Sequence, residues 1–217
     1  MAEAFHRTFF INGPAGRLEA TLWTAPKTAA ERRRAAVVCH PHPLFGGTMH
    51  NKVVFQLAKS LHREGVPVLR FNFRGAGLSE GKHDKGWGES GDVQAALDYL
   101  AVEFPHKPIL LAGFSFGAYV GLRVGCTDAR VKEVVGAGVP VNDSDLSYLV
   151  ECRKPKLILQ STHDQYGSRA RIEELFARLP EPKQLAFIDA PDHFFAGKLP
   201  QMGAAFEEWL KERDGRS

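Results

Sequence analysis

Apolar and polar positions along the chain alternate between short apolar runs and amphipathic stretches. Two short alternating segments near Thr8–Ile11 and Leu18–Trp23, split by a Gly13-Pro14 turn, predict an antiparallel hairpin. Apolar runs then predict strands at Ala35–Cys39, Val66–Phe73, Ile109–Gly113, Val131–Ala137, Leu157–Gln160 and Leu185–Ile188. Between them the spacing becomes helical. Val53, Val54, Leu57, Ala58 and Leu61 share one face of Lys52–His62, and Val93, Ala96, Leu97 and Leu100 share one face of Asp92–Glu103. Further helices are predicted after Ser115, over Ser168–Leu179 and over Pro200–Lys211.

Alternation of strands and helices after an opening hairpin predicts the α/β class, with a mostly parallel central sheet and helices on both faces. Ligands of such sheets bind beyond the carboxyl ends of the strands. Candidate chemistry is therefore sought just past a strand end.

Composition narrows the picture. A chain of 217 residues with 44% hydrophobic content fits one α/β domain over residues 1–217. The net charge is +3. The one basic run, Arg32-Arg33-Arg34, precedes a strand without an aromatic platform, so it reads as a solvated strand entry and no nucleic-acid partner is expected. The N-terminal residues lack a signal pattern, and no apolar run is long enough for a bilayer. A cytoplasmic protein with no membrane partner is expected. Cys39, Cys126 and Cys152 are an odd number at irregular spacing and imply neither a disulfide framework nor a zinc site.

Gly113-Phe114-Ser115-Phe116-Gly117 lies where an apolar strand gives way to a helical pattern. A sharp strand-to-helix turn crowds the residues two positions either side of its centre, and glycine at both relieves the clash. The Ser115 hydroxyl is thereby presented at a helix N-terminus, whose partial positive charge favours an oxyanion. A serine nucleophile needs a base, and the base needs an orienting carboxylate. His193 follows the last predicted strand, in Asp189-Ala190-Pro191-Asp192-His193-Phe194-Phe195, and is the expected base. Asp164 follows the strand Leu157–Gln160 and is the preferred acid, with Asp143 and Asp145 as alternatives after the preceding strand. Asp192 is read as shaping its loop.

An oxyanion hole requires two donors. The Phe116 amide is one. The loop His40-Pro41-His42-Pro43-Leu44-Phe45-Gly46-Gly47 should supply the other, with Leu44 preferred and Phe45 and His42 behind it. The prolines around His40 and His42 indicate that these histidines buttress the loop by hydrogen bonds, so no metal is expected there or with His50. Gly75-Ala76-Gly77 fails the dinucleotide pattern at Glu80, and no cofactor is expected. Arg74 is expected to tie this loop to neighbouring backbone, and Trp87 and Glu89 to belong to the entry of the helix that Asp92 begins.

With these motifs in place the chain resembles the α/β-hydrolase superfamily, and within it a bacterial group of small, lidless hydrolases or esterases. The resemblance rests on His40-Pro41-His42-Pro43 with Gly46-Gly47-Thr48-Met49, on Arg70-Phe71-Asn72-Phe73-Arg74-Gly75, on the Ser115 pentapeptide, and on Asp164 and His193. The chain order Ser, Asp, His is that of this superfamily. It implies an α/β-hydrolase fold without a large lid domain, and the same three residues as nucleophile, acid and base. The expected function is a serine hydrolase of small or short-chain carboxylic esters, acting through an acyl-serine. The expected pocket is open and lined by Phe45, Phe114, Phe116 and Phe194 or Phe195. A thioesterase or small peptidase with the same triad, and a non-catalytic binding protein on this scaffold, are the alternative functions. Oligomeric state, a homo-oligomer included, is left open by the sequence.

Overall fold

A computed structural model describes residues 6–24 and 34–215. An antiparallel hairpin opens it, β1 (His6–Gly13) and β2 (Gly16–Trp23). The sheet order is β1-β2-β4-β3-β5-β6-β7-β8, where β3 is Ala35–Cys39, β4 Val68–Phe71, β5 Ile109–Phe114, β6 Val131–Ala137, β7 Lys156–Ser161 and β8 Lys183–Ile188. β2 pairs antiparallel with β4, and every pairing from β4 to β8 is parallel.

Both faces of the sheet are covered. Ala36, Val38, Leu110, Ala112 and Phe114 pack under α1 (Lys52–Arg63) and α5 (Leu199–Arg213). Val37, Cys39, Ile109 and Leu111 pack under α2 (Trp87–Glu103), α3 (Phe116–Thr127) and α4 (Arg169–Arg178). This double burial is why β3 and β5 read as unbroken apolar runs. The Asn51 side chain caps α1 by accepting the Val53 amide at 2.9 Å. Residues 138–155, between β6 and β7, carry only a short 3-10 turn, Ser147–Val150, and no large insertion.

Several features depart from the sequence pattern. β4 spans Val68–Phe71 rather than Val66–Phe73, although the Asn72 amide still donates to the Glu19 carbonyl (2.8 Å) in the register of the β2–β4 ladder. α2 starts at Trp87, not Asp92. Glu89 begins it by accepting the amides of Gly86 (2.7 Å) and Asp84 (2.8 Å). Asp92 is thereby freed to bind Arg74, which donates to it from its backbone N, Nε and Nη2 and also reaches the Gly88 carbonyl at 2.6 Å. Arg34 is not a solvated entry residue. Its guanidinium pairs with Glu133 (2.8 Å) and with Asp214, which ties the start of β3 to β6 and to the end of α5. Arg32 and Arg33 lie outside the described residues.

Candidate active site

β5 ends at Phe114 and α3 begins at Phe116, so Ser115 alone makes the turn between them. It does so at φ 56°, ψ −120°, in the left-handed region that costs a non-glycine residue about 1–3 kcal/mol. Its amide donates to the Ala137 carbonyl (2.9 Å), and its carbonyl accepts the Tyr119 amide (3.0 Å). A Cβ at position 113 would stand 2.3 Å from the Gly117 carbonyl oxygen. One at position 117 would stand 2.5 Å from the carbonyl oxygens of Cys39 and His40. The glycines two positions either side of Ser115 are there because backbone occupies the space of their missing side chains.

The loops after β7 and β8 bring Asp164 and His193 together. Asp164 Oδ2 lies 2.7 Å from His193 Nδ1 and also accepts Gln160 Nε2 (2.8 Å). Its Oδ1 accepts the amides of Tyr166 (2.8 Å) and Gly167 (3.1 Å). Four donors therefore hold this carboxylate in one orientation. The His193 ring sits between Phe114 (4.8 Å between centroids) and Tyr166 (4.8 Å). With Nδ1 given to Asp164, the proton of the neutral ring lies there and Nε2 is the acceptor. Nε2 is buried and has no hydrogen-bond partner among the described residues. A buried, unpaired ring nitrogen is costly, and a nucleophile or substrate proton is what it lacks.

Ser115 and His193 line one cavity of about 490 Å³, together with Phe45, Phe116, Phe194 and Tyr166. Asp143 and Asp145 also border it, but Asp164 occupies the His193 Nδ1 edge for which they were alternatives. Asp192 accepts the amides of Phe194 (3.0 Å) and Ala196 (3.1 Å), the loop-shaping role expected of it. Two aromatic expectations need correction. Phe195 is wholly buried in the core under α5, and Phe114 is wholly buried beneath the His193 ring. Neither lines the cavity.

The loop after β3 is held by its histidines. His40 Nδ1 donates to the Pro41 carbonyl (2.6 Å), and Nε2 accepts the Phe73 amide (2.9 Å). Burial pushes its pKa down to about 3, so it is a neutral strut. Leu44 is not placed as an oxyanion donor. Its amide is turned to His42 Nδ1 (3.3 Å), and its side chain is exposed. The amides of Phe45 and Gly47 both donate to the His42 carbonyl at 3.1 Å, and that of Gly46 to Pro43 (3.2 Å). Among the described residues the His42 amide has no backbone partner, and the His42 ring lies 4.8 Å from that of Phe116 in the first turn of α3, whose leading amides are free by helix geometry. Phe116 and His42 both line the cavity. Burial, and secondarily the neighbouring His83, lower the pKa of the His42 ring.

Sequence reading gave no role in the cavity to His83, Lys85, Asn51 or Tyr119, all of which line it. The weak signal was position: His83 and Lys85 lie in the polar stretch between β4 and α2, past a strand end.

Comparison with known proteins agrees with this fold. The family model described as the alpha/beta hydrolase family matches residues 36–216. An uncharacterized protein of Rickettsia prowazekii (strain Madrid E) is 37% identical over 210 residues, covering 93% of this chain and 87% of its own. The structure described as an a/b serine hydrolase without lid from Xanthomonas campestris superposes with a TM-score of 0.88 at 30% identity, over 97% of each chain. An alpha-beta serine hydrolase homologue from Coxiella burnetii does so at 0.88 and 35% identity, covering 94% of this chain and 97% of that one. With the family model matching residues 36–216 and relatives of 30% identity or more covering nearly the whole chain, the chain belongs to the alpha/beta hydrolase family.

Proposed function

We propose that this hydrolase cleaves small carboxylic esters through an acyl-serine formed on Ser115. The observation that carries the reading is the free, buried Nε2 of His193, in the cavity that contains Ser115 and backed by Asp164. His193 Nε2 takes the Ser115 proton as the hydroxyl oxygen attacks the ester carbonyl carbon. The carbonyl π pair moves to oxygen, where the Phe116 and His42 amides receive it. Collapse of this intermediate expels the alcohol, which takes the proton back from His193. Water then enters, gives a proton to His193 and attacks the acyl carbon. Release of the acid regenerates Ser115. Asp164 holds the tautomer and stabilises the imidazolium in both halves.

A volume of about 490 Å³ open to solvent, with Phe45 86% exposed at its rim, favours short acyl chains. Turnover of p-nitrophenyl acetate, butyrate, octanoate and palmitate tests this, and a palmitate optimum would overturn it. Ser115→Ala should lower turnover by roughly 10³-fold or more and abolish labelling by a fluorophosphonate. Wild-type rates in that variant would remove Ser115 from the mechanism.

A further inference from the structure

The loops after β4 and β6 flank the end of β5 from opposite sides, because β4 and β3 lie on one side of it and β6 on the other. They give the cavity two unlike walls. Asp143 and Asp145 lie on the β6 side, both exposed, and the Asp145 carboxylate already accepts the Ser147 amide at 2.9 Å. His83 and Lys85 lie on the β4 side.

The β4-side wall is the more constructed of the two. The His83 side chain is 10% exposed, and its Nδ1 sits 2.8 Å from Oε1 of the wholly buried Glu89. Glu89 in turn is fixed by the Asp84 and Gly86 amides that start α2. Despite its closeness to Glu89 the buried His83 Nδ1 makes no well-formed hydrogen bond among the described residues, and the ring lies 4.7 Å from that of His42. Lys85 is held at φ 52°, in the left-handed region, without being glycine. Its ammonium pairs with no carboxylate among the described residues. A backbone outlier at a lysine that lines the cavity without a carboxylate partner, beside a histidine whose buried Nδ1 is unsatisfied, is an arrangement for a ligand.

Building on the ester-hydrolase reading, we propose that Lys85 and His83 form an anion-recognition subsite, so that the preferred esters carry a second, negatively charged group near the scissile bond. Lys85 supplies the charge. His83, beside the buried Glu89, closes the subsite. Asp143 and Asp145 repel the same group from the other wall, which sets the direction in which the substrate lies.

The test compares esters matched in size but not in charge. On the acyl side the pair is p-nitrophenyl hemisuccinate against p-nitrophenyl butyrate. On the alcohol side it is 4-acetoxybenzoate against phenyl acetate. Wild type should prefer the anionic member of one pair by roughly tenfold in kcat/KM, as expected for one partly screened charge contact. That preference should shrink at 0.5 M NaCl, fall in Lys85→Met and reverse in Lys85→Glu. No preference in either pair, or a ratio that Lys85→Glu leaves unmoved, overturns the subsite. If no ester is turned over and fluorophosphonate leaves Ser115 unlabelled, the hydrolase reading fails instead. Calorimetric binding of succinic acid monoanilide against butyranilide, in wild type and Lys85→Glu, then decides the subsite by the same ratio.

Discussion

Asp164 Oδ2 stands 2.7 Å from His193 Nδ1, with the histidine side chain 2% exposed and the aspartate side chain fully buried. At that depth the carboxylate selects which ring nitrogen carries the proton. Asp164→Asn keeps the shape but offers an amide that can instead donate to Nδ1, putting the ring proton on the wrong side. Turnover of p-nitrophenyl acetate should fall by roughly 10³–10⁴-fold, with KM little changed. A loss below tenfold would mean that His193 does not depend on Asp164.

Gly138 approaches the same ring. At φ 53° it already sits in the left-handed region, and a Cβ there would lie 2.9 Å from His193 Cε1 and 2.8 Å from Phe114 Cε2. Gly138→Ala should displace the imidazole, lowering kcat tenfold or more while costing about 1–3 kcal/mol of stability. Rates normalised to fluorophosphonate-labelled protein, together with Tm, separate the two effects. Unchanged kcat would show that the ring tolerates the displacement.

His40 gives a pH prediction. Its folded pKa is depressed to about 3 against an unfolded value near 6.5, so between those values the unfolded chain binds the extra proton. Stability contributed by the neutral ring is complete above pH 6.5 and is lost as pH falls toward 3, by about 1.4 kcal/mol per pH unit. His40→Gln is less stable at pH 7, but it should lose less on going to pH 5 than wild type does. Urea unfolding at both pH values checks this, and equal losses would contradict it.

Arg74 and Asp92 form a buried bidentate pair, with Asp92 fully buried and Nη2 to Oδ1 at 2.7 Å. Removing one partner strands the other charge. Asp92→Ala should cost about 3–5 kcal/mol, read as a lower urea midpoint. Arg74→Lys keeps the charge but loses the fork, and should fall between wild type and Asp92→Ala.

What could be read from sequence follows the range of the forces involved. The pentapeptide around Ser115 was legible because its constraints are local: the backbone crowding at Gly113 and Gly117 arises within the turn and the strand beside it. Strand and helix positions were legible from double burial. The α2 start was misplaced because Glu89 caps from the third helical position while Asp92, which resembles a cap, is claimed by Arg74 from another loop. The Leu44 amide is turned to His42 Nδ1, and only the three-dimensional course of the turn after Pro41 decides that. Phe194 and Phe195 are adjacent and chemically identical. The left-handed backbone of Phe195 (φ 55°) sends one to the cavity and the other to the core. Periodicity carries no information about such a turn.

The left-handed backbone of Ser115 makes activity and robustness opposing selections at one codon. Ser115→Gly keeps the elbow and relieves its steric strain, so the inactive variant should be the more stable protein, by about 1 kcal/mol after allowing for the greater freedom of its unfolded chain. A library of this hydrolase screened for heat resistance alone would therefore drift toward loss of the proposed nucleophile. Any effort to harden the enzyme has to score turnover in the same round.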